Sequence, residues 1–360
     1  MQFVELGLKR DGTITALKEH VLGDAGAYPG TGSFLPFFTH TMATGVYNIP
    51  KLEFDWKAVL TNTTSIGAYR GAGRPEATQA IERILDMAAD ELGIDPVEIR
   101  RKNLLPKFEA PGMMAGSGLA MYDTGDYEAA LDAALAHADY TALRAAQAER
   151  RASGATKQLG IGVSVYVEIT APAGMHVEYG AVEVLDDGSV KAYVGTSAHG
   201  QGHDTAFSMI VSEILGVPMD KVTLVQSDTA LVPRGSGTMG SRSLQTGGSA
   251  VYRSSEGVLD KAKQLAAQLL EASPDDIVLG DGGLQVAGVP AKLVAWGELS
   301  AKAAGSGIEG LEAGLRHEID FDGTQSSFPF GAHVAVVEID TETGRVELVR
   351  HVAVDDCGRI

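Results

Sequence analysis

The chain has 360 residues, 44% of them hydrophobic, and carries a formal net charge of −18 at pH 7. That length predicts two domains, and that acidity repels phosphate backbones and anionic lipid, so nucleic acid is excluded as a partner. The one cysteine, Cys357, excludes an intrachain disulfide and an iron–sulfur cluster held by the chain's own thiolates, and no apolar run reaches membrane-spanning length, so a cytoplasmic protein is expected.

Two alternating stretches, 3–9 and 13–21, separated by Asp11-Gly12, predict a strand pair. A loop rich in Gly, Pro and Phe is expected over 23–36, and the overlapping stretch 30–38 reads either as structure or as the lining of a substrate channel. A strand follows at 52–60. Pro75 opens a helix whose apolar residues, Ala77, Ile81, Ile84, Leu85 and Leu92 among them, recur at helical spacing until Gly93. Asp95-Pro96 starts a second helix to about 105. The stretch 106–118, with Pro111, Gly112 and Gly116, is loop-like and predicts a domain boundary near 118. Two alanine-rich helices are expected within 126–152, then strands at 161–169, 177–185 and 190–194. Helices at 202–215 and 249–270 follow, with late strands at 332–339 and 346–354. Both ends fall at the edges of strands, as expected of a fragment.

Three glycine-rich turns each precede a helix. They are Gly67-Ala68-Tyr69-Arg70-Gly71-Ala72-Gly73-Arg74, His199-Gly200-Gln201-Gly202-His203, and Gly235-Ser236-Gly237-Thr238-Met239-Gly240-Ser241-Arg242-Ser243. Glycine lets backbone turn sharply and approach a ligand, and helix N-termini offer unpaired N–H groups with partial positive charge. Arg70, Arg74 and Arg242 add cationic forks, and Ser236, Thr238, Ser241 and Ser243 add hydroxyls. One such turn alone is more often only a turn. Three of them, with three arginines in an acidic chain, point to a phosphate- or carboxylate-bearing ligand. None contains the Gly-Lys-Ser/Thr of a P-loop. His199 and His203 stand four apart like a zinc pair, but Gly200 occupies the place of the general-base glutamate, so capping or packing is expected of both.

Four ordered motifs resemble those of the large subunits of bacterial molybdenum hydroxylases, the xanthine dehydrogenase, aldehyde oxidase and carbon monoxide dehydrogenase family. They are Ala68-Tyr69-Arg70-Gly71-Ala72-Gly73-Arg74-Pro75-Glu76, Gly195-Thr196-Ser197-Ala198-His199-Gly200-Gln201-Gly202-His203, Gly237-Thr238-Met239-Gly240-Ser241-Arg242-Ser243 and Val354-Asp355-Asp356-Cys357-Gly358. The resemblance covers essentially the whole chain. It implies an α+β architecture of two molybdopterin-binding domains, 1–118 and 119–360, with the cofactor between them. The implied cofactor is molybdenum–molybdopterin cytosine dinucleotide, with no side chain ligating the metal directly.

The resemblance also implies roles. Gln201 matches the glutamine whose amide hydrogen-bonds a molybdenum oxo ligand. Arg70 matches an arginine that orients substrate and steadies developing negative charge. Gly200, Gln201, Gly202, Thr238, Gly240, Ser241, Arg242 and Ser243 match the cofactor cradle. The implied activity is water-derived hydroxylation of aldehydes or N-heterocycles. Electrons would pass to Fe–S and FAD centres on a small and a medium partner subunit, in a dimer of heterotrimers.

The chain departs from the family pattern in two respects. The catalytic glutamate, in a Gly-x-Gly-Glu motif expected beyond Ile360, is not in the sequence, nor is a glycine loop expected before Met1. As given, the polypeptide is not expected to complete the cycle alone. The alternative is a non-catalytic cofactor-binding or assembly module; an unrelated phosphate-binding enzyme is a third reading. Copper-dependent carbon monoxide dehydrogenases carry a cysteine after the arginine of the first motif, where this chain has Gly71, so a copper-bridged centre is disfavoured. Cys357 is expected to be a small buried residue in a turn.

Overall fold

The computed structural model describes residues 1–109, 112–172 and 174–358; Pro111 and Ile360 lie outside them. Helices and strands are mixed in the α+β manner, and the chain forms two compact units, residues 1–168 with 327–360 and residues 169–326.

The first unit opens as expected. Strands Gln2–Leu8 and Ile14–Gly26 pair antiparallel around Gly12, whose φ of +83° suits the turn. Ile14–Gly26 then pairs in parallel with Leu52–Leu60. A parallel partner needs a crossover, and the segment expected to be a loop supplies it: Leu35–Met42 is a helix with Pro36 in its first turn. Helix Arg74–Leu92 ends at Gly93, in left-handed backbone. Asp95 caps helix Pro96–Asn103 by accepting from Val97 N–H at 2.8 Å. In the loop-like stretch, Met113–Met114 pairs with Met121–Tyr122. Helices Tyr127–Ala138 and Tyr140–Ser153 follow.

A second sheet in this unit joins distant sequence. Lys157–Val167 lies beside Phe330–Asp340, which pairs on its other side with Val346–Asp356. This pairing returns the C-terminal strands to the unit that holds the N-terminus. The compact units therefore do not follow a single cut near 118. Cys357, expected to be buried, is exposed just past the last strand.

The second unit contains a four-stranded sheet in the order Arg316–Asp322, Val177–Val184, Val190–Val194, Val222–Val225. Its last pair is parallel, and helix His203–Leu215 is the crossover. Helix Ser249–Leu270 packs its apolar face on the sheet, burying Val251, Val258, Ala262 and Leu265 against Val182 and Val194. A three-stranded antiparallel sheet, 277–295, and helix Trp296–Ala303 complete the unit. Trp296 is buried and donates from Nε1 to Leu215 O at 3.1 Å. Among the described residues, no helix is long and apolar enough to cross a membrane.

Candidate functional site

The first glycine turn belongs to the first unit. Gly71, Ala72 and Gly73 take φ of +103°, +44° and +92° in succession. Such backbone is strained for most residues, and Gly73 is fixed by packing as well. A Cβ there would lie 2.6 Å from Phe38 Cβ and 2.7 Å from Thr39 N. Glu76 accepts from Gly73 N–H at 3.0 Å and closes the start of the helix. The structure separates the two arginines. Arg74 is buried, donates to Ala72 O at 3.0 Å, pairs with Glu168 at 3.2 Å and lies over the Phe38 ring. It holds the turn and is not a cationic fork offered to a ligand. Arg70 is exposed. The segment before the first helix is closely packed: a Cβ on Gly32 would sit 2.0 Å from Ile66 O, and Thr31 Oγ1 accepts from Ala68 N–H at 3.3 Å.

The second and third turns come together in the second unit. Strand Val190–Val194 ends at Gly195, which touches Gly235 so closely that a Cβ on it would meet Gly235 Cα at 2.4 Å. Gly237 N–H donates to Gly195 O at 3.3 Å. The Thr238 hydroxyl sits on the seam: it donates to Ser197 O at 2.6 Å, accepts from Ser197 N–H at 2.8 Å and accepts from the Ser243 hydroxyl at 3.2 Å. A third loop joins them, since the Ser197 and Ser227 hydroxyls are hydrogen-bonded and Ser227 takes a φ of +63°.

Backbone on this seam is open toward solvent. Gly200 and Gly202 are exposed with φ of +95° and +80°, and nothing lies within 4 Å of where a Cβ would stand on either. Gly202 caps helix His203–Leu215. Gln201, exposed between them, accepts from His199 N–H and donates to Ser197 O at 3.5 Å; its Nε2 carries a second hydrogen. Gly240 and exposed Ser241 follow at φ +58° and +54°. They lead into a π-helical turn, Ser243–Gly248, at the head of helix Ser249–Leu270. Single π turns concentrate at functional positions.

Of the two histidines, His203 packs as expected, while His199 is exposed. His203 is buried, stacks on Phe207 with centroids 5.1 Å apart and shares a hydrogen bond of 3.2 Å with Gln226. No group able to hold a metal ion was found among the described residues. Arg242 differs from its expectation as a fork toward a ligand. Its side chain is fully buried and bonded to Glu178 and to backbone carbonyls.

Two matches to the molybdopterin cofactor-binding domain cover residues 1–104 and 133–360. The chain belongs to the molybdopterin-binding large-subunit family of the carbon monoxide and xanthine dehydrogenases. It is similar to the nicotine 6-hydroxylase large subunit of Paenarthrobacter nicotinovorans, 32% identical over 99% of this chain and 45% of that one. It is 34% identical to the carbon monoxide dehydrogenase large chain of Hydrogenophaga pseudoflava, over 98% of this chain and 46% of that one. Among solved structures, the reconstituted CO dehydrogenase from Oligotropha carboxidovorans superposes with a TM-score of 0.87 at 32% identity over 99% of this chain and 46% of that one. Quinoline 2-oxidoreductase from Pseudomonas putida 86 does so with a TM-score of 0.84 at 31% identity, over 99% and 47%. The chain thus spans just under half the length of the relatives it matches.

Within this molybdopterin-binding frame, sequence reasoning missed the residues that hold the glycine turns in place. Glu178 reads as an ordinary strand residue, yet it is buried beside Arg242. Arg234 reads as a loop cation, yet it pairs with Asp320 at 2.7 Å and lies 4.5 Å over the Tyr179 ring, anchoring the residue before Gly235. Burial, then the hydrogen bond to Glu318, pushes the Tyr179 hydroxyl above its ordinary range. A charged residue inside an otherwise buried strand was the available signal for Glu178.

Proposed function

We propose that this chain is the cofactor-binding part of a molybdenum hydroxylase that oxidises aldehydes or N-heterocycles. The observation that carries this reading is the seam in the second unit, where Thr238 ties two glycine turns, Gly200 and Gly202 have open, left-handed backbone, and Gly240 and Ser241 are left-handed as well. Backbone that is close-approach, rich in N–H groups and set at helix starts fits a large polyanionic ligand. The cofactor would be molybdenum–molybdopterin in its cytosine dinucleotide form, supplying the redox centre at which oxygen from water is added to substrate.

Gly200, Gln201, Gly202, Thr238, Gly240, Ser241 and Ser243 would hold it, with Arg242 acting through the loop it fixes. Gln201 would present its free carboxamide N–H to the metal end. Arg70 would orient substrate and stabilise negative charge as it develops. A boundary near 118 would fall between the family matches at 1–104 and 133–360, although the compact units do not follow it. Fe–S and FAD centres on partner subunits, in a dimer of heterotrimers, would accept the electrons.

Gly71 favours this substrate class over copper-dependent oxidation of carbon monoxide. A Cβ there would fall 2.4 Å from Pro75 Cγ on backbone at φ +103°, so a cysteine would require the turn to be rebuilt. The test is metal and pterin analysis of the complex purified after molybdate-replete growth, with acid release of the nucleotide. Stoichiometric molybdenum and cytidine monophosphate are expected. A complex free of both overturns the reading.

A further inference from the structure

The two glycine turns that meet in the second unit share one buried ion pair. Arg242 and Glu178 have no side-chain exposure. The Arg242 Nε donates to Met175 O at 2.9 Å, Nη1 donates to Glu178 and to Gly237 O at 2.9 Å, and Nη2 donates to Val177 O. Four of the five N–H groups of the guanidinium are thereby committed to the protein. Glu178 uses its other oxygen to accept from Tyr179 N–H at 3.0 Å. That oxygen also lies 2.1 Å from where a Cβ on Gly195 would stand.

We propose that Glu178 and Arg242 form a keystone that positions the cofactor-facing loops, and that the Arg242 guanidinium is a positioning group and not an anion ligand. For the word "cofactor-facing" this rests on the function proposed above; the keystone itself does not. The argument is one of committed charge. To reach a phosphate, the guanidinium would have to leave a carboxylate that is wholly removed from water, and an unpaired buried carboxylate is strongly unfavourable. Its bonds instead run to three places in the sequence: the segment 175–178, the Gly237 carbonyl and, through Glu178, the floor beneath Gly195. Gly195 begins the turn that carries Gln201, and Gly237 begins the one that carries Gly240 and Ser241. Arg242 O also accepts from Thr246 N–H at 2.8 Å and from its hydroxyl at 2.9 Å, which fixes the start of the π-helical turn. One pair thus sets the Gln201 turn, the Ser241 turn and the head of the long helix.

Amide hydrogen exchange on the purified assembly, read with its bound pterin content, tests this. Arg242→Met is expected to speed exchange of residues 195–203 and 235–243 on the order of a hundredfold, as removing one partner of a buried pair predicts, and to lower pterin content. Adding Glu178→Gln to Arg242→Met removes the stranded charge and is expected to restore most of the protection and most of the pterin. If the double variant regains protection but stays without pterin, the guanidinium is a direct ligand and the proposal fails. Unchanged exchange in Arg242→Met also overturns it. If the unmodified assembly holds no pterin, the proposed function fails, while the exchange measurement still decides the keystone.

Discussion

The Nε of Arg100 donates to Glu82 Oε2 at 2.6 Å, with the arginine side chain entirely out of solvent. The two stand on successive helices, Arg74–Leu92 and Pro96–Asn103. Glu82 also accepts from the Tyr47 hydroxyl at 2.5 Å and from Val165 N–H at 3.2 Å, so helix, loop and the first strand of the second sheet meet on one carboxylate. Deleting one member of such a buried set strands the others. Arg100→Met is expected to destabilise the protein by about 3–5 kcal/mol. Urea unfolding followed by circular dichroism measures it. A loss below about 1 kcal/mol, the range of an exposed pair, would show that the set is not integral to the fold.

Glu19 predicts a pH effect with a definite sign. It is 2% exposed in strand Ile14–Gly26, and Gln2 Nε2 donates to it at 3.0 Å. Burial pushes its carboxyl up to about 7, and the Gln2 hydrogen bond offsets only part of that. A folded-state value above the unfolded one means the native state binds the proton more tightly. Stability is therefore greatest below the ordinary carboxyl range, falls as pH rises toward 7 and levels above it. Glu19→Gln should flatten this dependence and be the more stable protein at pH 8. Urea midpoints at pH 5, 6, 7 and 8 test this, and parallel curves for the two proteins would refute it.

Much of this was legible in the sequence for physical reasons that differ by residue. Periodicity gave helix Ser249–Leu270 to the residue, because its apolar stripe is long and continuous. Asp11-Gly12 marked a hairpin because its turn needs positive φ. The helix Leu35–Met42 was hidden by the aromatic and proline residues around it, which read locally as loop; only the parallel pairing of its flanking strands requires it. The strands Ile277–Gly280 and Gly283–Val286 have too few residues to show a period. At the site, glycine spacing exposed the turns, but a side chain's direction is invisible in sequence. Arg70 and Arg242 therefore read alike, although one is exposed and the other is sealed.

Gly195 of the seam and Gly93 at the end of helix Arg74–Leu92 are required for different reasons, and substitution should separate them. Gly195 is required by space: an alanine Cβ would strike Glu178 and the Gly235 backbone. Gly93, at φ +66°, has nothing within 4 Å and is required only by its backbone angle. Gly93→Ala should cost about 1 kcal/mol, as left-handed alanine does. Gly195→Ala should cost several times that, since the Glu178 carboxylate is held by its buried pair with Arg242 and the Gly235 neighbour is backbone. Thermal unfolding of both variants against the parent makes the comparison, and equal losses would mean that the second-unit seam is loose.

Gln201 tests the site without disturbing its frame. The residue is exposed, and among the described residues its side-chain hydrogen bonds run to His199 N–H and Ser197 O, while Thr238 independently holds the same turn. Gln201→Ala should therefore leave the turn, and with it the pterin content of the assembled complex, largely intact. If its carboxamide stabilises charge where the reaction occurs, turnover should fall by about 10²–10³-fold, the loss typical of removing one positioned donor. Gln201→Glu keeps the size and removes the N–H donors, so it should be equally impaired. Activity per bound pterin separates the two effects. Loss of pterin in Gln201→Ala would make holding the cofactor its main role, and unchanged turnover per pterin would remove it from the catalytic groups altogether.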